Sequence, residues 1–192
     1  MTLKKLFTAA IVAGALTLGL ALVSCGSAAA SPEDAIAQDI AAQLDPIKTL
    51  DDASLDALVT EAENAGGTEY LADMGIDTRE YFKAVLSGFD YTIDSMTVDG
   101  DSATVNLTVT SKTFAEVSNV AQQKAADLLA DAADISSTDE MNAKIGEVVM
   151  QSIDEAQPEQ HQIGLSYAKN GDAWEPTTDV MTTVMNEAFY AE

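Results

Sequence analysis

Residues 103–109 place the tightest constraint on the fold. Ala103, Val105, Leu107 and Val109 alternate with Thr104, Asn106 and Thr108. A period of two puts the apolar set on one face of a strand and the hydroxyl and amide set on the other. Tyr91 to Val98 reads as the partner strand, with Asp99-Gly100 as a two-residue turn. That turn would pair Val98 with Asp101 and Met96 with Ala103. Regular continuation would then set Asp94 beside Val105, so a β-bulge is expected near Asp94-Ser95, returning Ile93 and Tyr91 to the apolar face. The pattern recurs where Ile163, Leu165 and Tyr167 alternate with Gly164, Ser166 and Ala168, ahead of Asn170-Gly171. That turn would set Tyr167 opposite Trp174 as an aromatic cross-strand pair. Such packing explains the lone Trp better than sugar stacking does.

The remaining segments carry helical periodicity. Ser31-Pro32-Glu33-Asp34 combines an N-cap, a first-turn proline and two acids. Ile36, Ile40, Leu44 and Ile47 follow on one face, and Pro46 is expected to end the helix. Asp52 to Asn64 forms a second helix with Leu55, Leu58, Val59 and Ala62 inward, stopped by Gly66-Gly67. Asp77, Thr113 and Ser137 each stand three residues before a Glu, the spacing of a capping box. The first box opens a helix carrying Tyr81, Phe82, Val85, Leu86 and Phe89. The second opens one with Val117, Ala121, Leu128 and Leu129 inward. The third opens one with Met141, Ile145, Val148, Val149, Ser152 and Ile153 inward. Thr177 is expected to cap a last helix bearing Val180, Met181, Val184, Met185, Ala188 and Phe189. The sum is an α+β fold: one antiparallel sheet from two hairpins, about 90–112 and 160–176, packed on one face by about six helices.

The N-terminus carries an address. Lys4 and Lys5 precede Leu6 to Val23, an uncharged and almost wholly apolar stretch broken by Gly14 and Gly19. This is the signal-peptide pattern. Leu22-Val23-Ser24-Cys25 resembles the lipobox of bacterial lipoproteins. The resemblance implies cleavage between Ser24 and Cys25 and a diacylglyceryl group on the Cys25 thiol. The alternative is an uncleaved anchor helix with an incidental Cys25. Either puts residues 26–192 on the extracytoplasmic side of the membrane. Gly26 to Ser31 are small and uncharged, as a tether should be. The organisation is then 1–24 signal peptide, 25–31 lipidated Cys and tether, and 32–192 one domain. The stretch from Tyr81-Phe82 through Asp99-Gly100-Asp101-Ser102-Ala103-Thr104-Val105 also resembles small α+β domains of unknown function in Gram-positive lipoproteins. Many of these have cystatin-like or NTF2-like folds. The two helices between the hairpins depart from that order.

Charge and composition then exclude whole classes. Setting Lys4 and Lys5 aside, the chain carries seven basic residues against 32 acidic ones, a net −25. Nucleic-acid backbones need clustered Lys and Arg, so no nucleic-acid partner is expected. One Cys and one His exclude a disulfide framework and a Cys/His zinc site. His161 stands in polar company without a nucleophile context, and reads as a solvated strand-edge residue. Asp99-Gly100-Asp101-Ser102 starts like a calcium loop, but Ala103, Thr104 and Thr110 stand where an EF-hand needs Asp or Asn, Gly and Glu. Asp94, Asp99 and Asp101 remain as a nonstandard candidate. Glu33-Asp34, Asp51-Asp52, Asp139-Glu140 and Asp154-Glu155 are assigned mostly to helix starts. No cofactor, no metal site and no catalytic residue is expected. The leading expectation is a noncatalytic, lipid-anchored domain that binds an envelope protein or peptide. A carboxylate-dependent envelope hydrolase is the alternative, and would need a cleft with two acids, one of raised pKa. A solute-binding lipoprotein usually needs two lobes, more than about 160 residues supply.

Overall fold

The computed structural model describes residues 31–66, 68–131 and 137–191, with side chains as far as Ala126 in the helix that ends at Asp131. Leu22, Val23, Ser24 and Cys25, with the signal, the tether and Gly67, lie outside the described residues, as do the side chains of Leu128 and Leu129. The order is α1 (Pro32–Thr49), α2 (Asp52–Asn64), α3 (Glu69–Asp73), α4 (Thr78–Leu86), β1 (Asp90–Asp99) and β2 (Ser102–Ser111). It continues with α5 (Phe114–Asp131), α6 (Thr138–Glu155), β3 (Glu159–Asn170), β4 (Ala173–Pro176) and α7 (Val180–Val184), which runs into a π-helical turn, Met185–Phe189. The four strands form one antiparallel sheet in the order β1-β2-β3-β4. The fold is α+β, with seven α-helices among the described residues; the short α3 was not foreseen. None of these helices is long and apolar enough to cross a membrane.

One face of the sheet makes the core. Ala103, Val105, Leu107, Val109, Ile163, Leu165 and Tyr167 are buried there against Ile36, Ile40, Leu44, Phe82, Val184 and Phe189. Phe89 stacks on Phe189 with ring centroids 6.0 Å apart. α1 is tied to the sheet by polar contacts as well. The Tyr167 hydroxyl donates to Asp39 at 2.7 Å, the Tyr91 hydroxyl donates to Asp45 at 2.7 Å, and Lys48 pairs with Asp90 at 2.6 Å.

Several expectations are corrected. Both hairpins turn one frame later than Asx-Gly pairing implies. Asp99 pairs with Ser102 and Asn170 with Ala173, so Gly100-Asp101 and Gly171-Asp172 are the loops. Gly100 and Gly171 have φ of +60° and +65°, while the Asp after each has negative φ. Positive φ at the first loop residue alone is the type II′ pattern, and it spares Asp99 and Asn170 the left-handed region. Both sites read Asx-Gly-Asp, so either frame was open. The slip moves each pairing by two residues, which leaves every side chain on its face. Val98 therefore meets Ala103, and Tyr167 meets Pro176 instead of Trp174, which pairs with Lys169. The bulge falls where expected: the register shifts between Ile93 and Ser95, and Ile93 and Tyr91 sit opposite Leu107 and Val109.

Pro46 does not end α1, which continues to Thr49. The missing N–H costs one bond to an exposed carbonyl, and the extra turn buries Ile47. Ile145 is 37% exposed, and Gly146 takes the buried place beside Met74 and Ile76. Asp179, not Thr177, caps α7 by accepting the Thr182 N–H at 2.7 Å. The Thr177 hydroxyl instead donates to the Ser166 carbonyl at 3.1 Å.

Candidate functional site

Among the described residues the sheet is covered on one side only. Strand alternation turns Thr97, Thr104, Asn106, Gln160, Gln162, Gly164 and Ser166 to the other side, where all are exposed. The bulge adds to this face. It spends an extra residue, so Asp94 and Ser95 both point outward, and both are exposed.

These side chains are hydrogen-bonded across three strands. The Gln162 amide donates to the Thr108 hydroxyl at 2.6 Å, and that hydroxyl donates to the Asp94 carboxylate at 2.7 Å. Beside this chain, the Asn106 amide donates to the Ser95 hydroxyl at 2.9 Å. The face is thus built of oriented donors and acceptors. By the same alternation Asp90, Asp99 and Glu175 stand with Asp94 on this side, so its charge is negative, and Lys and Arg are absent from the outward residues named. Four basic side chains are engaged elsewhere. Lys48 holds Asp90, Arg79 pairs with Asp52 and Asp56, Lys124 pairs with Glu155 at 2.7 Å, and Lys144 with Glu147 at 2.8 Å. Asp94, Ser95, Thr108 and Gln162 were not singled out as a group from sequence. The signal available was the expected bulge, because a bulge beside a period-two strand puts two adjacent polar residues on one face.

His161 lies in the part of β3 that β4 does not pair, as an edge residue should, but it is half-buried rather than solvated. It shares the inward parity of Ile163 and sits opposite Val109, and its Nε2 is buried with no hydrogen-bond partner among the described residues. Lys112 is buried as well. Its Nζ donates to the Ile153 carbonyl at 2.8 Å and the Ala84 carbonyl at 3.3 Å, in the last turns of α6 and α4. A cation there complements both helix dipoles. Burial lowers the Lys112 pKa, and Asp154 opposes that shift.

The acids disperse. Among the described residues no cluster of three or more His, Cys, Asp or Glu is placed to hold a metal ion. Asp51 and Asp77 are helix N-caps. Asp154-Glu155 ends α6 rather than starting a helix. An open hollow of about 430 Å³ along α1 contains two acids, Asp45 and Asp51. Asp51 is held below the ordinary carboxylate range by the Ser54 hydroxyl and N–H, whereas a general acid needs the opposite shift.

No protein-family model matches the chain, and no curated protein matches it in sequence. Among solved structures it is similar to ycdA of Bacillus subtilis, provisionally described as a lipoprotein, at 16% identity and a TM-score of 0.42. The alignment covers 71% of this chain and 47% of that one, so the chain spans about half the length of that protein.

Proposed function

We propose that this chain is a lipid-anchored, extracytoplasmic binding domain without catalytic activity. Cys25 carries the lipid after removal of residues 1–24. Two acyl chains hold a protein stably on a bilayer where one is marginal. The six residues Gly26 to Ser31 reach at most about 20 Å when extended, so the domain stays close to the membrane surface. Its net negative charge keeps it off anionic lipid. The uncovered polar face of the sheet carries the binding part of this reading. An array of oriented donors and acceptors on an open sheet face suits recognition of another chain, while catalysis asks for a recess that excludes water.

The test has two arms in a bacterial host. Wild type and Cys25→Ala are fractionated and weighed intact. The wild type should be membrane-bound with a diacylglyceryl mass on Cys25, and the variant should keep its signal. A photo-crosslinking residue is then placed at Thr104 on the open face or at Glu63 on α2. Discrete adducts from position 104, lost with Cys25→Ala, are expected. Equal behaviour of the two Cys25 forms would overturn the anchor; adducts from both positions or from neither would overturn the binding face.

A further inference from the structure

The two edges of the sheet are not alike. An edge presents a row of unpaired backbone groups, which proteins blunt with charge, proline or a bulge. β1 is blunted: it carries the bulge and Asp90, Asp94 and Asp99, and its Tyr91 N–H is taken by the Asp90 carboxylate at 2.8 Å. The other edge is shared between two strands. β3 starts at Glu159, yet β4 pairs only with Tyr167 to Asn170.

The direction of each backbone group on β3 follows from two bonds. The Lys169 N–H donates to the Asp101 carbonyl on the β2 side, and the Thr177 N–H donates to the Ser166 carbonyl on the β4 side, both at 2.8 Å. Alternation then sends the groups of odd-numbered residues toward β2 and those of even-numbered residues outward. Gln160, Gln162 and Gly164 therefore aim an N–H and a C=O each away from the sheet. Among the described residues nothing hydrogen-bonds these groups. All three residues are exposed, and a Cβ built on Gly164 would meet no atom within 4 Å. Between Gln160 and Gly164 there is no acid, Lys, Arg, proline or bulge.

We infer that this edge of β3 binds an extended, positively charged peptide segment by strand addition, the new strand lying in line with β4. Main-chain bonds to Gln160, Gln162 and Gly164 would supply the ladder. One alternate set of its side chains would extend the open face beside Gln162 and Thr108. The positive charge follows from complementarity with a domain of net −25 after Lys4 and Lys5. This inference rests on the binding reading above and names the partner's class. A second copy of this chain is disfavoured by like charge.

The probe is an eight-residue alternating Thr-Lys peptide with blocked ends, titrated into the full-length chain in nonionic detergent. Two further peptides carry N-methyl groups on alternate residues, one in each frame. Both keep every charge, but only one frame removes the N–H groups that face β3. We expect one frame to bind at least tenfold more weakly and the other to bind as the parent does. Amide exchange at Gln160, Gln162 and Gly164 should slow at least tenfold with the parent peptide. Gly164→Pro, which removes one outward N–H from an extended residue, should weaken binding about tenfold with the melting temperature retained. Equal binding in both frames would reduce the effect to charge alone and overturn the inference, as would unprotected amides or self-association through this edge. Should Gly164→Pro fail to fold, the two peptide frames still decide. A chain that ignores the peptides but is lipidated and crosslinks through Thr104 would lose strand addition and keep the anchored-binding reading.

Discussion

Gly146→Ala sets two well-known effects against each other, and the structure decides between them. Glycine inside a helix costs about 1 kcal/mol relative to alanine, so propensity alone makes this substitution stabilising. Position 146 lies in the middle of α6, but it is buried. A Cβ built there falls well inside van der Waals contact with the Met74 carbonyl oxygen. It also lies 3.1 Å from the Met74 carbonyl carbon and 3.3 Å from Ile76 Cγ1. The Met74 carbonyl has little room to yield. The Met74 N–H donates to Leu71 at 3.1 Å, the Gly75 N–H to Ala72 at 3.0 Å and the Ile76 N–H to Leu71 at 2.8 Å. α6 must shift instead, and it is fixed by Ser152 and Ile153, both buried. Overpacking of this kind costs about 1–3 kcal/mol, and a contact with backbone belongs at the upper end or beyond. Net of propensity, Gly146→Ala should destabilise by about 2 kcal/mol. For a domain of this size that lowers the melting temperature by roughly 4–8 °C. Ala143→Gly on the exposed side of α6 is the control, and should lose only the propensity term of about 1 kcal/mol. Thermal and urea melts of the full-length variants measure both. A Gly146→Ala chain as stable as wild type, or more so, would refute the close approach of α6 to the α3–α4 connection.

Other predictions concern the buried polar groups. Lys112→Met removes the donor shared by the Ala84 and Ile153 carbonyls and should destabilise by about 1–3 kcal/mol in urea melts at neutral pH. Because burial lowers the Lys112 pKa, the unfolded chain binds more protons at this group just below the ordinary lysine range. Its contribution to stability therefore rises with pH there, and the rise should vanish in Lys112→Met. Tyrosines act in the opposite sense. Burial pushes Tyr70 up to about 12 and raises Tyr81, Tyr91 and Tyr167, the last two with help from Asp45 and Asp39. The folded chain then holds more protons above the ordinary phenol value near 10, so these groups withdraw stability as pH rises through that range. Ultraviolet titration should find these four native phenols titrating late and reverting to ordinary values in denaturant. Early titration of Tyr70, Tyr81, Tyr91 and Tyr167 in the native chain would contradict these shifts.

The fold was legible because its signals were redundant. Inward residues of both hairpins follow from a period of two, and a wrong turn frame could not move them, since a slip of two residues preserves faces. The same redundancy hid the turn type: Asx-Gly-Asp satisfies two turn chemistries, and only the backbone angles of Gly100 and Gly171 separate them. Pro46 misled because local propensity was outweighed by the burial of Ile47. Ile145 misled because its helical phase admits a neighbour one position away, and the space beside Met74 and Ile76 accepts a glycine. What could not be read at all was tertiary. Lys112 lies between two helix ends remote in sequence, and nothing in Ser111-Lys112-Thr113 announces it. The free edge of β3 likewise depends on where β4 stops.

The open face also separates what folds this domain from what it does. Its hydrogen bonds lie among exposed side chains that water would satisfy equally well, so each contributes little to stability. The opposite face holds Val105, Leu107, Ile163 and Leu165, all essentially inaccessible, where truncation to Ala should cost about 2–5 kcal/mol. Thr104→Ala, Asn106→Ala and Gln162→Ala should instead stay within about 0.5 kcal/mol of wild type in denaturant melts. If the face recognises a partner, the same three substitutions should weaken crosslinking through that face while leaving the melts unchanged. A large loss of stability from any of them would mean that the network supports the sheet, and would remove the reason for assigning it to recognition. Thr108 is the informative exception. It is half-buried, accepts from Gln162 and donates to Asp94. Its replacement by Val keeps the β-branched shape and breaks both bonds at once, leaving Asp94 at the bulge to water. A stable Thr108→Val chain with impaired crosslinking would place the function in the orientation of Asp94, a side chain that only the bulge brings to this face.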